Sequence, residues 1–162
     1  MKKVFIAASL VIVWMGMIFI LSEMNSNESN NKSKVIVEKI IGEKNTKNDV
    51  YVMQEIDEDT LDNANFIFRK FAHTTVYLVL SFFVCNFFYQ LKKKKFSNNY
   101  LVSIIICFLY AISDEYHQTF VVGRTGNYRD VIIDLIGSIM GGIIFHFLVK
   151  TISKNKTLIT ES

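Results

Sequence analysis

The chain has 162 residues, of which 51% are hydrophobic and only 20% are charged, with no Pro and two Cys. This composition excludes disordered, collagen-like and disulfide-rich proteins. The apolar residues are concentrated in long runs separated by short polar segments, which predicts an integral membrane protein rather than a soluble domain.

Four apolar runs predict four transmembrane helices, at about 4–21, 70–91, 100–119 and 131–149. We interpret the first as an anchor, since it is longer than the apolar part of a signal peptide and no cleavage site follows it. The strictly apolar part of the third, Leu101 to Ile112, is shorter than the roughly 20 residues that span a bilayer. We therefore expect its polar end to enter the membrane. The fold class predicted is all-α, one bundle of four transmembrane helices at 1–150, followed by a tail at 151–162.

The distribution of charge predicts the orientation of these helices. Segments 1–3, 92–99 and 150–162 carry net charges of +2, +4 and +2, whereas segment 22–65 carries −5. Lys and Arg are retained on the cytoplasmic side of a membrane. Both termini and the loop with Lys92 to Lys95 are thus predicted to be cytoplasmic, and the 22–65 loop to be extracytoplasmic.

The 22–65 loop is polar overall but has two amphipathic stretches. Ile36, Val37, Ile40 and Ile41 share one helical face, which favours a short surface helix. The pattern from Val50 to Ile56 fits a helix and a strand equally. No second, soluble domain is indicated.

Ionisable residues are gathered at the extracytoplasmic ends of the last three predicted spans. An ionisable group within a membrane costs about 3 kcal/mol unless it finds a partner or water. One interpretation is that the charges neutralise one another and fasten the helices, and the other is a cavity for an anionic or hydrogen-bonding ligand. The cations are Arg69, Lys70, Arg124 and Arg129, the acids are Asp114, Glu115, Asp130 and Asp134, and His73 and His117 lie among them.

The segment Gly123-Arg124-Thr125-Gly126 is typical of a turn in which glycine lets the backbone approach closely. Such a turn would leave the planar fork of Arg124 able to bind a carboxylate or phosphate. The motif is too short to identify a site by itself. It becomes informative because it lies between the polar segments 114–118 and 129–130.

The sequence favours neither a metal site nor a cofactor. Metal motifs such as HExxH and CxxC are missing, and the neighbouring arginines would oppose a cation. Catalysis remains open, because His73 or His117 beside a carboxylate would make a reasonable general base. The expected pair is His117 as the base and Asp114 as the residue that orients it. No nucleophile stands out, so an intramembrane enzyme for a lipid-linked or cell-wall substrate is kept as the alternative.

Small residues in the fourth span, Gly137 and Gly141, permit a close approach of two helices. Packing within the bundle is the first explanation, and formation of a homodimer is the second. The run from Lys92 to Lys95 is short and adjoins the membrane, so nucleic acid is not expected as a partner.

Two blocks of residues resemble the signature of VanZ-like membrane proteins. The first is Arg69-Lys70-x-Ala72-His73-x-x-x-Tyr77, and the second runs through Ser113-Asp114-Glu115-Tyr116-His117-Gln118, Phe120, Gly123-Arg124, Arg129-Asp130, Asp134 and Gly137. The resemblance extends from the first span to Val149. Thr74 departs from it, since the family often has Phe at this position.

The resemblance implies a small, multi-pass protein of the bacterial cell membrane, whose family namesake is associated with resistance to the glycopeptide teicoplanin. It implies no reaction. The expected partners are the lipid bilayer and a cell-wall precursor, a lipid head group or a glycopeptide. We expect Arg69 and Arg124 to hold an anionic group. Asp114 and Asp130 are expected to fix these arginines, and His73 or His117 is expected to make binding depend on pH. The predicted ligand-binding residues are Arg69, His73, Asp114, Glu115, His117, Gln118, Arg124, Asp130 and Asp134.

Overall fold

The computed structural model describes residues 1–23, 31, 33–37, 39–40, 58–91, 96–124 and 126–160. These contain four long helices, α1 (Lys2–Ser22), α2 (Glu58–Gln90), α3 (Phe96–Gln118) and α4 (Tyr128–Thr160). None of the described residues lies in a strand. The predicted all-α fold class is therefore confirmed.

Three of the helices are long and apolar enough to cross a membrane, over Lys2–Ser22, Asp59–Gln90 and Tyr128–Ser153. The chain is accordingly a membrane protein. α3 is not among the three, because its apolar run is short and both of its ends are polar. A fourth span at 100–119 and cytoplasmic termini stay predictions.

Two helices extend beyond the apolar runs that predicted them. α2 begins at Glu58 rather than near residue 70, and α4 continues to Thr160 rather than ending near 149. Asp59, in the first turn of α2, favours this early start because a carboxylate is stabilised by the positive end of the helix dipole. In α4, no Gly or Pro follows Gly142 to interrupt the helix. The ends of α2 and α4 are therefore not set by the ends of their apolar runs.

α2 and α4 pack side by side, in parallel and with their backbones in close contact. Gly137 lies against the carbonyl of Thr74, and Gly141 lies against the carbonyl of Leu78, four residues further along both helices. A Cβ atom at either glycine would overlap these backbone atoms. Packing within the bundle, the first explanation for the two glycines, is thus confirmed.

α1 is attached to α2 and α3 by hydrogen bonds from aromatic side chains. Trp14 Nε1 donates to the carbonyl of Val76 at 2.9 Å, and the Tyr110 hydroxyl donates to the carbonyl of Met15 at 2.6 Å. The buried core lies where these three helices meet. It consists of Ile18, Tyr77, Leu80, Val84, Cys107 and Ala111.

Part of the predicted surface helix is present, since residues 33–37 are helical. Val37 is only 5% exposed, and the Lys34 ammonium lies 2.5 Å from the Asp62 carboxylate near the start of α2. The segment is thereby fastened to α2. Ile41, the stretch from Val50 to Ile56 and the run from Lys92 to Lys95 lie outside the described residues.

Candidate functional site

A cavity of about 460 Å³ opens between α1, α2 and the short helix at 33–37. Its walls are mainly apolar, and two arginines, one histidine and one aspartate converge on it from α2, α3 and the loop before α4. Its volume lies within the range of about 300–1,000 Å³ that is typical of small-molecule sites. The lining residues are Ile18, Leu21, Ser22, Ser33, Ile36, Phe68, Arg69, Ala72, His73, Val76, Tyr77, Asp114 and Arg124.

A chain of hydrogen bonds fixes Arg124 at this cavity. Gln118 Nε2 donates to Asp114 Oδ2 at 3.1 Å, and Arg124 Nη1 donates to Gln118 Oε1 at 3.0 Å. Arg124 Nη2 also donates to the carbonyl of Leu21, at the end of α1, at 3.4 Å. Asp114 and Gln118 are both buried. Asp114 thus positions Arg124 through Gln118 rather than by direct contact.

The charge of Arg124 is affected by a second cation. Burial lowers the pKa of the Arg124 guanidinium, and the nearby Arg69 lowers this pKa further. The carboxylates of Asp114 and Glu115 act in the opposite direction. Because guanidinium remains protonated in proteins, two positive charges are held close together at one cavity. An anion between them would relieve their repulsion.

The loop between α3 and α4 depends on glycine, as its sequence predicts. Gly123 has a φ of 77°, which favours glycine. A Cβ at Gly126 would lie 2.7 Å from Thr119 Cγ2 and 2.9 Å from the carbonyl oxygen of Glu115. Glu115 Oε2 accepts a hydrogen bond of 2.8 Å from the Asn127 N–H. Glu115 therefore braces the loop that carries Arg124, and it does not line the cavity.

Two charge contacts join α2 to α4 behind the cavity. Lys70 Nζ donates to Asp130 Oδ1, and one turn further along, His73 Nδ1 lies 3.4 Å from Asp134 Oδ1. The carboxylate of Asp134 is fully buried. We expected Asp130 to fix an arginine, but its partner is Lys70. Successive residues point about 100° apart around a helix, so Lys70 faces α4 while Arg69 faces the cavity.

The nine predicted site residues therefore separate into three groups. Arg69, His73, Asp114 and Arg124 line the cavity, and Gln118 and Asp134 lie directly behind them. Glu115, Asp130 and His117 are engaged elsewhere. The His117 ring stacks on Phe19 with ring centroids 4.4 Å apart. Asp114 accepts a hydrogen bond from Gln118 rather than from His117. His117 and Asp114 therefore do not form the expected pair of a general base and its orienting carboxylate.

Comparison with known families identifies the family of the chain. A model of the VanZ/LLP1 family matches residues 7–149. The chain belongs to the VanZ/LLP1 family. No curated protein and no solved structure matches the chain. Every residue that lines the cavity of this VanZ/LLP1 protein lies within the matched region.

A second cavity, of about 610 Å³, adjoins the first and shares Arg69 with it. Its walls are polar, unlike those of the first cavity. Asn65 is 6% exposed, and its Oδ1 atom has no hydrogen-bond partner within the part of this VanZ/LLP1 chain that the structure describes. The lining residues are Asn31, Lys34, Asp62, Asn65, Phe66, Arg69 and Lys70.

The second cavity contains residues that sequence reasoning did not identify as part of the site. Asn65 precedes Arg69 by four residues, so this spacing alone placed both on one helical face. Asn65 was not assigned to the same helix as Arg69, because it lies before the apolar run from which the helix was predicted. No group of three or more His, Cys, Asp or Glu in the described residues is arranged to hold a metal ion.

Proposed function

We propose that this VanZ/LLP1 protein binds a ligand of the cell envelope at its extracytoplasmic side, between Arg69 and Arg124, and thereby reduces the access of teicoplanin-type glycopeptides to the cell surface. In this proposal the protein is a four-span protein of the bacterial cell membrane with both termini in the cytoplasm. The observation that carries the proposal is that two guanidinium groups and an apolar cavity meet at one place.

The chemistry of the cavity supports an anionic ligand. Arginine binds carboxylate and phosphate through two parallel hydrogen bonds, and it does so more strongly where water is partly excluded. The hydrogen bonds from Arg124 to Gln118 and to Leu21 orient its side chain before any ligand arrives. A cell-wall precursor, a lipid head group and the glycopeptide itself all offer an anionic group of this kind.

Antibiotic susceptibility in a sensitive Gram-positive host tests this proposal. We expect the wild type to raise the inhibitory concentration of teicoplanin more than that of vancomycin, Arg124→Ala to abolish this protection, and Arg124→Lys to retain only part of it. Arg129→Ala is the matched control, since Arg129 is exposed and lies outside both cavities.

Membrane abundance of each variant must be measured in parallel. Full protection by Arg124→Ala would contradict the proposal. Loss of protection in strict proportion to abundance would instead favour the purely structural interpretation, in which the charges only fasten the helices.

An intramembrane enzyme that acts on the same ligand is the second candidate. One observation favours it, because His73 lines the cavity and its Nδ1 atom faces the buried carboxylate of Asp134. A carboxylate that orients a histidine in this way is a usual arrangement for a general base. Purified protein in nanodiscs would then convert a lipid-linked substrate, and His73→Gln would remove turnover while binding persists.

A further inference from the structure

The two cavities differ in chemistry but meet at one residue, Arg69. On one side are apolar walls from α1, α2 and the short helix at 33–37. On the other side the wall is formed by amides, ammonium groups and a carboxylate. A ligand that fills both cavities must therefore be amphiphilic, with its polar part and its apolar part joined close to Arg69.

The charges of the polar cavity are largely compensated by neighbouring carboxylates. Lys34 is paired with Asp62, and Lys70 is paired with Asp130. A wall of this kind presents both donors and acceptors, which suits a neutral, hydrogen-bonding group better than a second anion. Asn65 adds a buried amide oxygen without a hydrogen-bond partner in the described part of the chain. Because an unmet buried acceptor is costly, the site favours a ligand that donates a hydrogen bond there.

Two guanidinium groups lie near the junction of the cavities. Arg69 lines both of them, and Arg124 lines the apolar one within electrostatic range of Arg69. We expect a single anionic group at this junction to interact with both guanidinium groups. Phosphate has enough oxygens to accept hydrogen bonds from two arginines at once.

We propose that the ligand is a membrane lipid in which a phosphate joins an apolar chain to a hydroxyl-rich head group. The chain occupies the apolar cavity, the phosphate lies between Arg69 and Arg124, and the hydroxyl groups bond to Asn65 and its neighbours in the polar cavity. This inference rests on the proposed function, since it names the ligand class of that same site. A choline head group is disfavoured because it has no hydroxyl group that could donate a hydrogen bond to Asn65.

Native mass spectrometry of the full chain in phosphatidylcholine nanodiscs tests the ligand class. The probes are lysophosphatidylglycerol, dodecyl phosphate, lysophosphatidylcholine and inorganic phosphate. We expect lysophosphatidylglycerol to bind most tightly, dodecyl phosphate more weakly, and the other two not to bind. Equal binding of lysophosphatidylcholine, or binding of inorganic phosphate alone, would overturn the proposal.

Substitutions separate the three parts of the site. Arg69→Gln is expected to weaken both anionic lipids at least about tenfold, while the matched control Arg129→Gln leaves them unchanged. Asn65→Leu should remove the preference for lysophosphatidylglycerol over dodecyl phosphate and spare the binding of dodecyl phosphate. If Asn65→Leu preserved that preference, the hydroxyl-rich head group would be excluded.

A second pair of variants tests the position of the chain and does not depend on charge. Ala72→Phe fills the apolar cavity and should abolish lipid binding, whereas Thr75→Phe adds the same ring on the exposed face of α2 and should not. Circular dichroism and gel filtration check that each variant is folded. Unchanged binding by folded Ala72→Phe would overturn the assignment of this cavity to the chain.

The two proposals fail in different ways. If the wild type protects against teicoplanin through Arg124 but binds none of the lipid probes, the ligand class is wrong and the proposed function stands. If the lipids bind as expected and no protection is found, the ligand class stands and the link to glycopeptides is wrong.

Discussion

The two sides of α2 illustrate opposite uses of one helix. Towards α4, the carbonyls of Thr74 and Leu78 lie against glycines, so that the backbones are in contact. Towards α1, larger side chains such as Phe68 and Val76 surround an open cavity. Glycines close the first interface, whereas apolar side chains and a few charged ones line the second. The comparison teaches that the close interface with α4 holds in place the side chains that α2 presents to the cavity.

The largest effect is expected from breaking the close interface. Gly141→Leu should destabilise the protein by more than about 3 kcal/mol, because the new side chain would overlap a backbone carbonyl that has no room to move. Thermal unfolding in detergent and abundance in the membrane measure the loss. Gly16→Ala is the matched control, since a Cβ added at Gly16 would have no atom within 4 Å, and it should be neutral or stabilising by up to about 1 kcal/mol. Wild-type stability of Gly141→Leu would refute the description of this interface.

The next largest effect is expected from breaking the charge contacts between α2 and α4. Asp134→Asn should cost about 1.5–3 kcal/mol, because it removes the buried carboxylate that lies opposite His73. Asp130→Asn should cost less, since Asp130 and Lys70 are partly exposed to solvent. Chemical unfolding of both variants makes the comparison. Adding His73→Gln to Asp134→Asn should bring little further loss, and additive losses would mean that the two residues do not act as a pair.

A smaller effect on stability, with a larger one on function, is expected at Gln118. Gln118→Leu removes the link between Asp114 and Arg124 and should lower stability by about 1–2 kcal/mol. Teicoplanin protection, divided by membrane abundance, should fall several-fold because Arg124 is no longer oriented. If protection per molecule is unchanged, Gln118 does not position Arg124.

The smallest effect concerns the attachment of α1 to α2. Trp14→Phe removes the donor to the carbonyl of Val76 and should cost about 0.5–1 kcal/mol. The ring contact with Phe83 has a centroid distance of 5.6 Å, and a phenyl ring would preserve part of it. Differential scanning calorimetry measures the shift. A loss above about 3 kcal/mol would show that the indole contributes packing as well as a hydrogen bond.

Much of the architecture could be predicted from the sequence, because local patterns determine it. Apolar runs located the helices, and the spacing of Gly137 and Gly141 predicted close packing. The four-residue spacing of Arg69 and His73 placed both on one face, and the structure brings both to the cavity.

Other features depend on tertiary packing and could not be predicted in this way. The direction of a side chain around a helix decides that Lys70, rather than Arg69, meets Asp130. The stacking of His117 on Phe19 requires knowledge of how α1 and α3 lie together. The early start of α2 was hidden because polar first turns carry no hydropathy signal. As a result Asn65 was not predicted as part of the site, although Arg69, which lines the same polar cavity, was.

α2 is longer than the thickness of a bilayer. At 33 residues the helix is about 50 Å long, whereas a hydrocarbon core is about 30 Å thick. Its first turns, which carry Asp62 and Asn65, lie before its apolar part. One continuous helix thus carries both these polar first turns and the apolar part. Any displacement of the first turns along the helix axis would therefore carry Arg69 with it.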